Sequence, residues 1–250
     1  MRGVARQVAV VAAVLVNLVL NGLAGAGLLF GVQTGAVSDG APTPITPAGW
    51  AFAVWSVIFV GVASFAVWQA LPAQRGPRYD RPAVPFALAN VLNGLWQVPW
   101  LTERFGVASV VIAGILGSLV WLYVVLDRMA LRGAERWALG VPTSLWLAWI
   151  AVAAPLNWTV WLRSLGWAPE SVVWPVAVVL VVGAVGAWLL ARTGDLAVAA
   201  VLWWAFAAIA LNGTSGPALW AALGVAALAG LAALAVGARS RSLGPTAHAG

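Results

Sequence analysis

The sequence predicts an all-α integral membrane protein of about eight transmembrane helices. Three observations carry that expectation. First, 63% of the 250 residues are hydrophobic and 8% are charged. A soluble globular domain carries about 25% charged residues, so this chain's solvent is lipid. Second, apolar runs of about 20 residues, enough to cross a bilayer, recur along the chain. Third, the arginines alternate between connecting segments in the way that positive-inside topology requires.

The runs fall at Gln7–Phe30, Pro47–Leu71, Pro85–Leu101, Phe105–Leu126, Trp137–Leu162, Ser171–Leu190, Leu196–Leu211 and Pro217–Val236. The first follows Arg2 and Arg6 and ends near Ala24-Gly25-Ala26, so it has the outline of a signal peptide. Its apolar stretch is about twice as long as a typical h-region, and it is read as a retained first helix. The segment from Gly31 to Thr46 has no Arg and reads as an external loop able to fold over the bundle mouth. The seventh run is short and Ala-rich. The tail, 239–250, is small and polar and reads as disordered and cytoplasmic.

With a cytoplasmic N-terminus and eight spans, Arg2, Arg6, Arg75, Arg78, Arg81, Arg128, Arg132, Arg136, Arg192, Arg239 and Arg241 lie inside. Arg104 and Arg163 lie outside. This placement predicts a multi-pass protein of a bacterial-type plasma membrane with both termini cytoplasmic.

Composition also excludes functions. All positive charge is arginine, dispersed through short connections, so the net charge of +6 is no nucleic-acid signal. There is no Cys, and the single His, His248, lies in the tail. Thiolate and imidazole metal sites, axial haem ligation by a buried His and Ser–His catalysis lose their central residues. None of the seven acidic residues lies in the middle of a span, which argues against carboxylate-driven ion coupling.

The polar residues inside the spans are amides. Asn90, Asn93 and Gln97 stand at i, i+3, i+7 on the third helix and form one stripe. In hydrocarbon such a stripe faces the bundle interior. It bonds neighbouring helices, faces a ligand cavity, or does both. Asn17 and Asn21 on the first helix, with the small run Gly22–Gly27, read as a helix–helix contact and leave self-association to a homodimer open.

The seventeen tryptophans divide by depth. Trp50, Trp68, Trp100, Trp121, Trp137, Trp161, Trp174, Trp188 and Trp220 lie near span ends, where an interfacial belt explains them, and Trp167 lies in a loop. Trp55, Trp96, Trp146, Trp149, Trp158, Trp203 and Trp204 lie deeper, as core or as a stacking wall for a flat ligand.

Three stretches together resemble the TspO/translocator-protein family, the tryptophan-rich sensory proteins. Leu92-Asn93-Gly94-Leu95-Trp96-Gln97-Val98-Pro99-Trp100 is similar to that family's Leu-Asn-x-x-Trp-x-x-Pro/aromatic motif. Thr43-Pro44-Ile45-Thr46-Pro47-Ala48-Gly49-Trp50, leading to Trp55, resembles its Pro-rich loop and second-helix start. Trp149-x3-Ala153-x2-Leu156-Asn157 matches its fifth-helix motif. There are departures: Leu145 and Trp146 stand where the family carries Pro-Tyr, and Val107-Ala108-Ser109 replaces a frequent Trp.

The resemblance implies a five-helix bundle over 1–165; the apolar runs add three helices over 166–238, beyond that family fold. It implies a non-covalent porphyrin or haem ligand, or a sterol-like molecule, held by Trp149, Ala153 and Leu156 with Asn93, Trp96 and Asn157 as signature positions. Trp50, Trp55, Gln97 and Trp146 complete the candidate site. A sensor or regulator is the leading expectation, with no catalytic or metal residue. A facilitative transporter, a porphyrin-modifying enzyme and an assembly partner working through the last helices remain alternatives. Trp204-x3-Ala208-x3-Asn212 repeats the fifth-helix spacing, which chance explains in a chain so rich in Ala and Trp.

Overall fold

The structure is a computed structural model that describes residues 3–167, 172–213 and 216–242, with side chains described up to residue 237. All its regular elements are helical. α1 (Gly3–Gly25) is followed by a short α2 (Thr34–Gly40). A 3-10 turn (Gly49–Ala53) leads into α3 (Val54–Ala70). α4 (Asp80–Leu101) and α5 (Phe105–Arg128) follow. A one-turn α6 (Gly133–Glu135) passes through a π-helical turn (Arg136–Gly140) into α7 (Val141–Ser164). The widening comes just before Pro142, which has no N–H to offer the preceding turn. α8 (Val173–Thr193), α9 (Leu196–Ala210) and α10 (Pro217–Ser242) complete the chain.

Among the described residues, six helices are long and apolar enough to cross a membrane. The two other predicted spans fall short for different reasons. α4 has 22 residues but spends much of its length on amides and prolines. α9 is apolar but has 15 residues, about 22 Å at the helical rise, less than a typical hydrocarbon core. The count of eight is therefore an expectation that the helices do not establish. α10 runs on to Ser242, so the first residues of the predicted disordered tail are helical. Residues 243–250 of that tail lie outside the described residues, as do residues 168–171 between α7 and α8.

α1, α4, α5 and α7 pack in succession, and α3 closes the bundle against α1 and α7. α1 and α4 run parallel. Arg6 is fully buried near the start of α1 and pairs with Asp80 at 2.7 Å at the start of α4. It also donates to the carbonyls of Gly76 and Gln74. Gln7 donates to the Gln69 and Leu71 carbonyls, so the α3–α4 turn is fastened to α1. Arg78 and Tyr79 both bond Glu135, which ties that turn to α6.

Halfway up, Gly94 lets the two parallel helices touch. A Cβ built there would lie 3.2 Å from Asn17 Cα and 3.3 Å from the Val16 carbonyl. Within the small run of α1, Gly22 and Gly25 have open space on their Cβ side, and Ala24 is the buried member. The helix contact expected of α1 is real, but its close-approach residue lies on α4.

α8 packs along α10, and α9 lies against α7. Asp195 joins these helices to the bundle. Its Oδ1 caps α9 through Ala197 N, and its Oδ2 accepts from Ser144 on α7 at 2.6 Å and Tyr123 on α5 at 3.2 Å.

Candidate functional site

The far ends of α1, α4 and α7 surround a cavity of about 340 Å³. Its polar wall comes from the α1–α4 seam. Asn17 Nδ2 donates to Asn90 Oδ1 at 2.8 Å, and Asn93 Nδ2 donates to Asn17 Oδ1 at 2.8 Å. Asn21 Nδ2 donates to the same Asn17 oxygen at 2.7 Å, and Gln97 Nε2 donates to Asn21 Oδ1 at 2.6 Å. Thr34 Oγ1 then donates to Gln97 Oε1 at 2.8 Å. The stripe therefore bonds the neighbouring helix and also faces a cavity. Asn90 is consumed within the seam, whereas Asn93 and Gln97 bond α1 and line the cavity as well.

The aromatic walls come from two stacked pairs. On α4, Trp96 and Trp100 stack with centroids 5.0 Å apart. On α3, Trp55 and Phe59 stack at 5.1 Å. Trp149 of α7 stands edge-on to Trp55 at 6.5 Å and to Phe52 at 5.9 Å. Ala153, Leu156 and Asn157 continue the α7 wall, and Ile112 and Ile115 contribute from α5. Trp96 Nε1 donates to Asn157 Oδ1 at 3.0 Å, which fixes the α4 pair against α7. Below the cavity, Phe65 and Phe86 stack at 3.7 Å and close α3 onto α4.

The mouth is built from the segment between α1 and α3. The loop folds over the bundle, as its length suggested, and α2 forms within it. Trp100 Nε1 donates to the Thr34 carbonyl at 3.1 Å and pins α2 in place. The second half of the mouth is held by α9. Trp204 Nε1 donates to the Ala51 carbonyl at 3.0 Å, Ala48 N donates to the Ala208 carbonyl at 3.0 Å, and Asn212 Nδ2 donates to the Thr46 carbonyl at 2.9 Å. The Trp-Ala-Asn spacing attributed to chance thus forms one face that grips residues 46–51. Trp50 adds an edge-on contact with Trp204 at 4.7 Å.

Of the expected site residues, Trp55, Asn93, Trp96, Gln97, Trp149, Ala153, Leu156 and Asn157 line the cavity. Trp50 and Trp146 do not. Trp50 is 45% exposed and lies against α9. Trp146 is 1% exposed in the core, three residues before Trp149 on α7.

Several lining residues escaped the sequence reading. Trp100 was assigned to the interfacial belt but is 3% exposed and inside the bundle. Its signal was spacing: positions 93, 96, 97 and 100 make one helical face. Phe59 carried a similar signal, four residues after Trp55. Phe52, Ser38 and Asp39 sit in the mouth segment, where no periodicity marks a face. Trp158, classed as deep, is 36% exposed and donates to the Ser109 carbonyl.

Comparison with known families matches the chain to the family described as TSPO-like protein, over residues 7–238. The match runs beyond the five helices of the recognised motifs and takes in α8, α9 and most of α10. No curated protein and no solved structure matches the chain. A helical membrane fold, the motif residues gathered round one cavity and a family match over nearly the whole chain agree: the protein belongs to the TSPO-like family.

Proposed function

We propose that the protein holds a flat hydrophobic small molecule in this cavity and acts as a membrane sensor or regulator of it. The carrying observation is the pairing of two stacked aromatic walls with a hydrogen-bonded amide seam around one open volume. Aromatic faces bury a planar ring, and a few placed polar groups orient it. The volume lies at the small end of the usual range of about 300–1,000 Å³ for ligand sites. A tetrapyrrole is the ligand class implied by the resemblance to the tryptophan-rich sensory proteins. In this reading the walls grip the ring and its periphery reaches the mouth.

We place the protein in a bacterial-type plasma membrane, with the cavity mouth outside and both termini cytoplasmic. The Arg-rich turn at residues 75–81 supports this, because it lies at the end of the bundle opposite the mouth.

The test is a titration of detergent-solubilised protein with protoporphyrin and with haem, following tryptophan emission. Saturable quenching is expected, weakened by Trp149→Ala and by Asn93→Ala. Linear quenching that is unchanged in both variants would overturn the proposal.

A further inference from the structure

α9 is fastened at both ends, and to different parts of the molecule. Nine of its 15 residues are buried, and it is too short for an ordinary lipid-facing span. A helix leaves N–H groups unpaired at its start and carbonyls unpaired at its end. At the start of α9 the partner is Asp195. Its Oδ1 accepts from Ala197 N, and its Oδ2 accepts from Ser144 of α7 and Tyr123 of α5. One carboxylate thus caps the helix and ties it to two bundle helices.

At the other end the partner is the mouth. The Ala208 carbonyl, in the last turn of α9, accepts from Ala48 N. Trp204 and Asn212 donate to the carbonyls of Ala51 and Thr46. Pro47, Gly49 and Phe52 of the same stretch line the cavity, so the place of this stretch sets the opening. Leu202, between the two ends, fills the space where a Cβ on Gly186 of α8 would stand, which holds α9 in register with α8.

A hydrogen-bonded helix of this length moves as a rod. A shift of α9 that breaks the Asp195 bonds therefore also moves Trp204, Ala208 and Asn212. Resting on the reading of the cavity as a flat-ligand site, we propose that α9 is a strut through which the Asp195 junction, at the end of the bundle opposite the mouth, sets how firmly the mouth closes. The coupling is reciprocal: a ligand that displaces Pro47 or Phe52 changes the junction by the same free energy. This gives the helices beyond the five-helix bundle a regulatory part in ligand binding.

A cycle of four full-length proteins in detergent tests this. They are the unaltered protein, a junction variant (Tyr123→Phe with Ser144→Ala), a grip variant (Trp204→Phe with Asn212→Ala) and the combination. The junction variant removes two hydroxyl groups that lie outside the cavity lining and keeps the cap of α9, so it is mild for folding. Tyr123→Phe alone should give a smaller effect of the same kind. The first readout is chymotryptic cleavage after Trp50 and Phe52 without ligand. The junction variant is expected to speed it about threefold when the grip is intact. In the grip variant the same substitutions should change it less than about 1.5-fold, because the strut is already cut. The second readout is protoporphyrin affinity, which should weaken about threefold and then not at all in the same two comparisons.

General loosening of the protein would speed cleavage equally in both backgrounds. That result, or no change in the intact background, would overturn the strut and leave the flat-ligand site standing wherever protoporphyrin still quenches saturably. If the cleavage pattern holds but protoporphyrin binds none of the four proteins, the flat-ligand reading falls and the strut stands, acting on a mouth whose ligand is of another class.

Discussion

Trp96 and Asn157 stand 61 residues apart in sequence and share a buried hydrogen bond of 3.0 Å, indole N–H to amide oxygen. This bond joins the α4 motif to the α7 motif. It makes two separate sequence signatures into one wall, because it sets the plane of the Trp96–Trp100 stack relative to Trp149.

Removing the acceptor is predicted to cost more than removing the donor. Asn157→Ala leaves a buried indole N–H unpaired, which costs about 1–3 kcal/mol. Trp96→Phe leaves an amide oxygen on a residue that lines the cavity, where water can take the place of the indole N–H. Thermal unfolding in detergent should rank Asn157→Ala below Trp96→Phe. A double-mutant cycle should return a coupling of roughly 0.6–1.7 kcal/mol, the span measured for polar contacts between membrane helices.

The α1–α4 seam gives a second prediction with its own control. Gly94→Val forces atoms against the backbone of Asn17 and Val16, and should destabilise the protein by about 1–3 kcal/mol while weakening protoporphyrin quenching. Gly22→Val, whose side chain enters open space, should leave both unchanged. Equal effects of the two substitutions on melting temperature would show that the seam is not the point of close approach.

Here the sequence was informative about kind but not about partner. The spacing of Asn90, Asn93 and Gln97 placed them on an inward face, and Asn17 and Asn21 were legible as contact residues. That the two sets bond each other was not legible, because nothing in a one-dimensional pattern pairs residues some 73 positions apart. Trp100 was misjudged because depth was inferred from distance to a span end, whereas α2 folds over that end and buries it. Trp50 and Trp146 lie near motif residues in the chain but point to α9 and to the core. The role of Trp204, Ala208 and Asn212 was hidden for a related reason: their partners are backbone groups of a loop, which carry no side-chain signature.

The grip of α9 on the mouth gives a third prediction. Trp204→Phe combined with Asn212→Ala removes two of the three bonds to residues 46–51 while keeping an aromatic ring in place. At about 0.5–1.5 kcal/mol for each hydrogen bond, the mouth should open more often. Faster limited proteolysis between residues 41 and 53, with little change in melting temperature, is the expected result. Unchanged cleavage would show that the loop is held by other contacts.

The buried end of α1 gives a fourth. Arg6 is wholly enclosed, so Asp80→Asn strands its charge and should cost about 3 kcal/mol or more. Arg6→Met with Asp80→Asn should recover part of that loss, because both the enclosed charge and its counter-ion are then gone. A double variant that melts lower than Asp80→Asn alone would mean that the bonds from Arg6 to the Gly76 and Gln74 carbonyls outweigh the ion pair.

The parallel pairing of α1 with α4 also sets a timetable for assembly. Asn17 finds its partner only when Asn90 has been made, 73 residues later. At about 5–20 residues per second, that is a wait of roughly 4–15 s. During those seconds the Asn17 and Asn21 amides of α1 have only each other and their own helix to bond. α1 is apolar enough to span alone, so it can wait in the bilayer, but its amide face gains its interhelical partners, and the cavity its polar wall, only when α4 arrives.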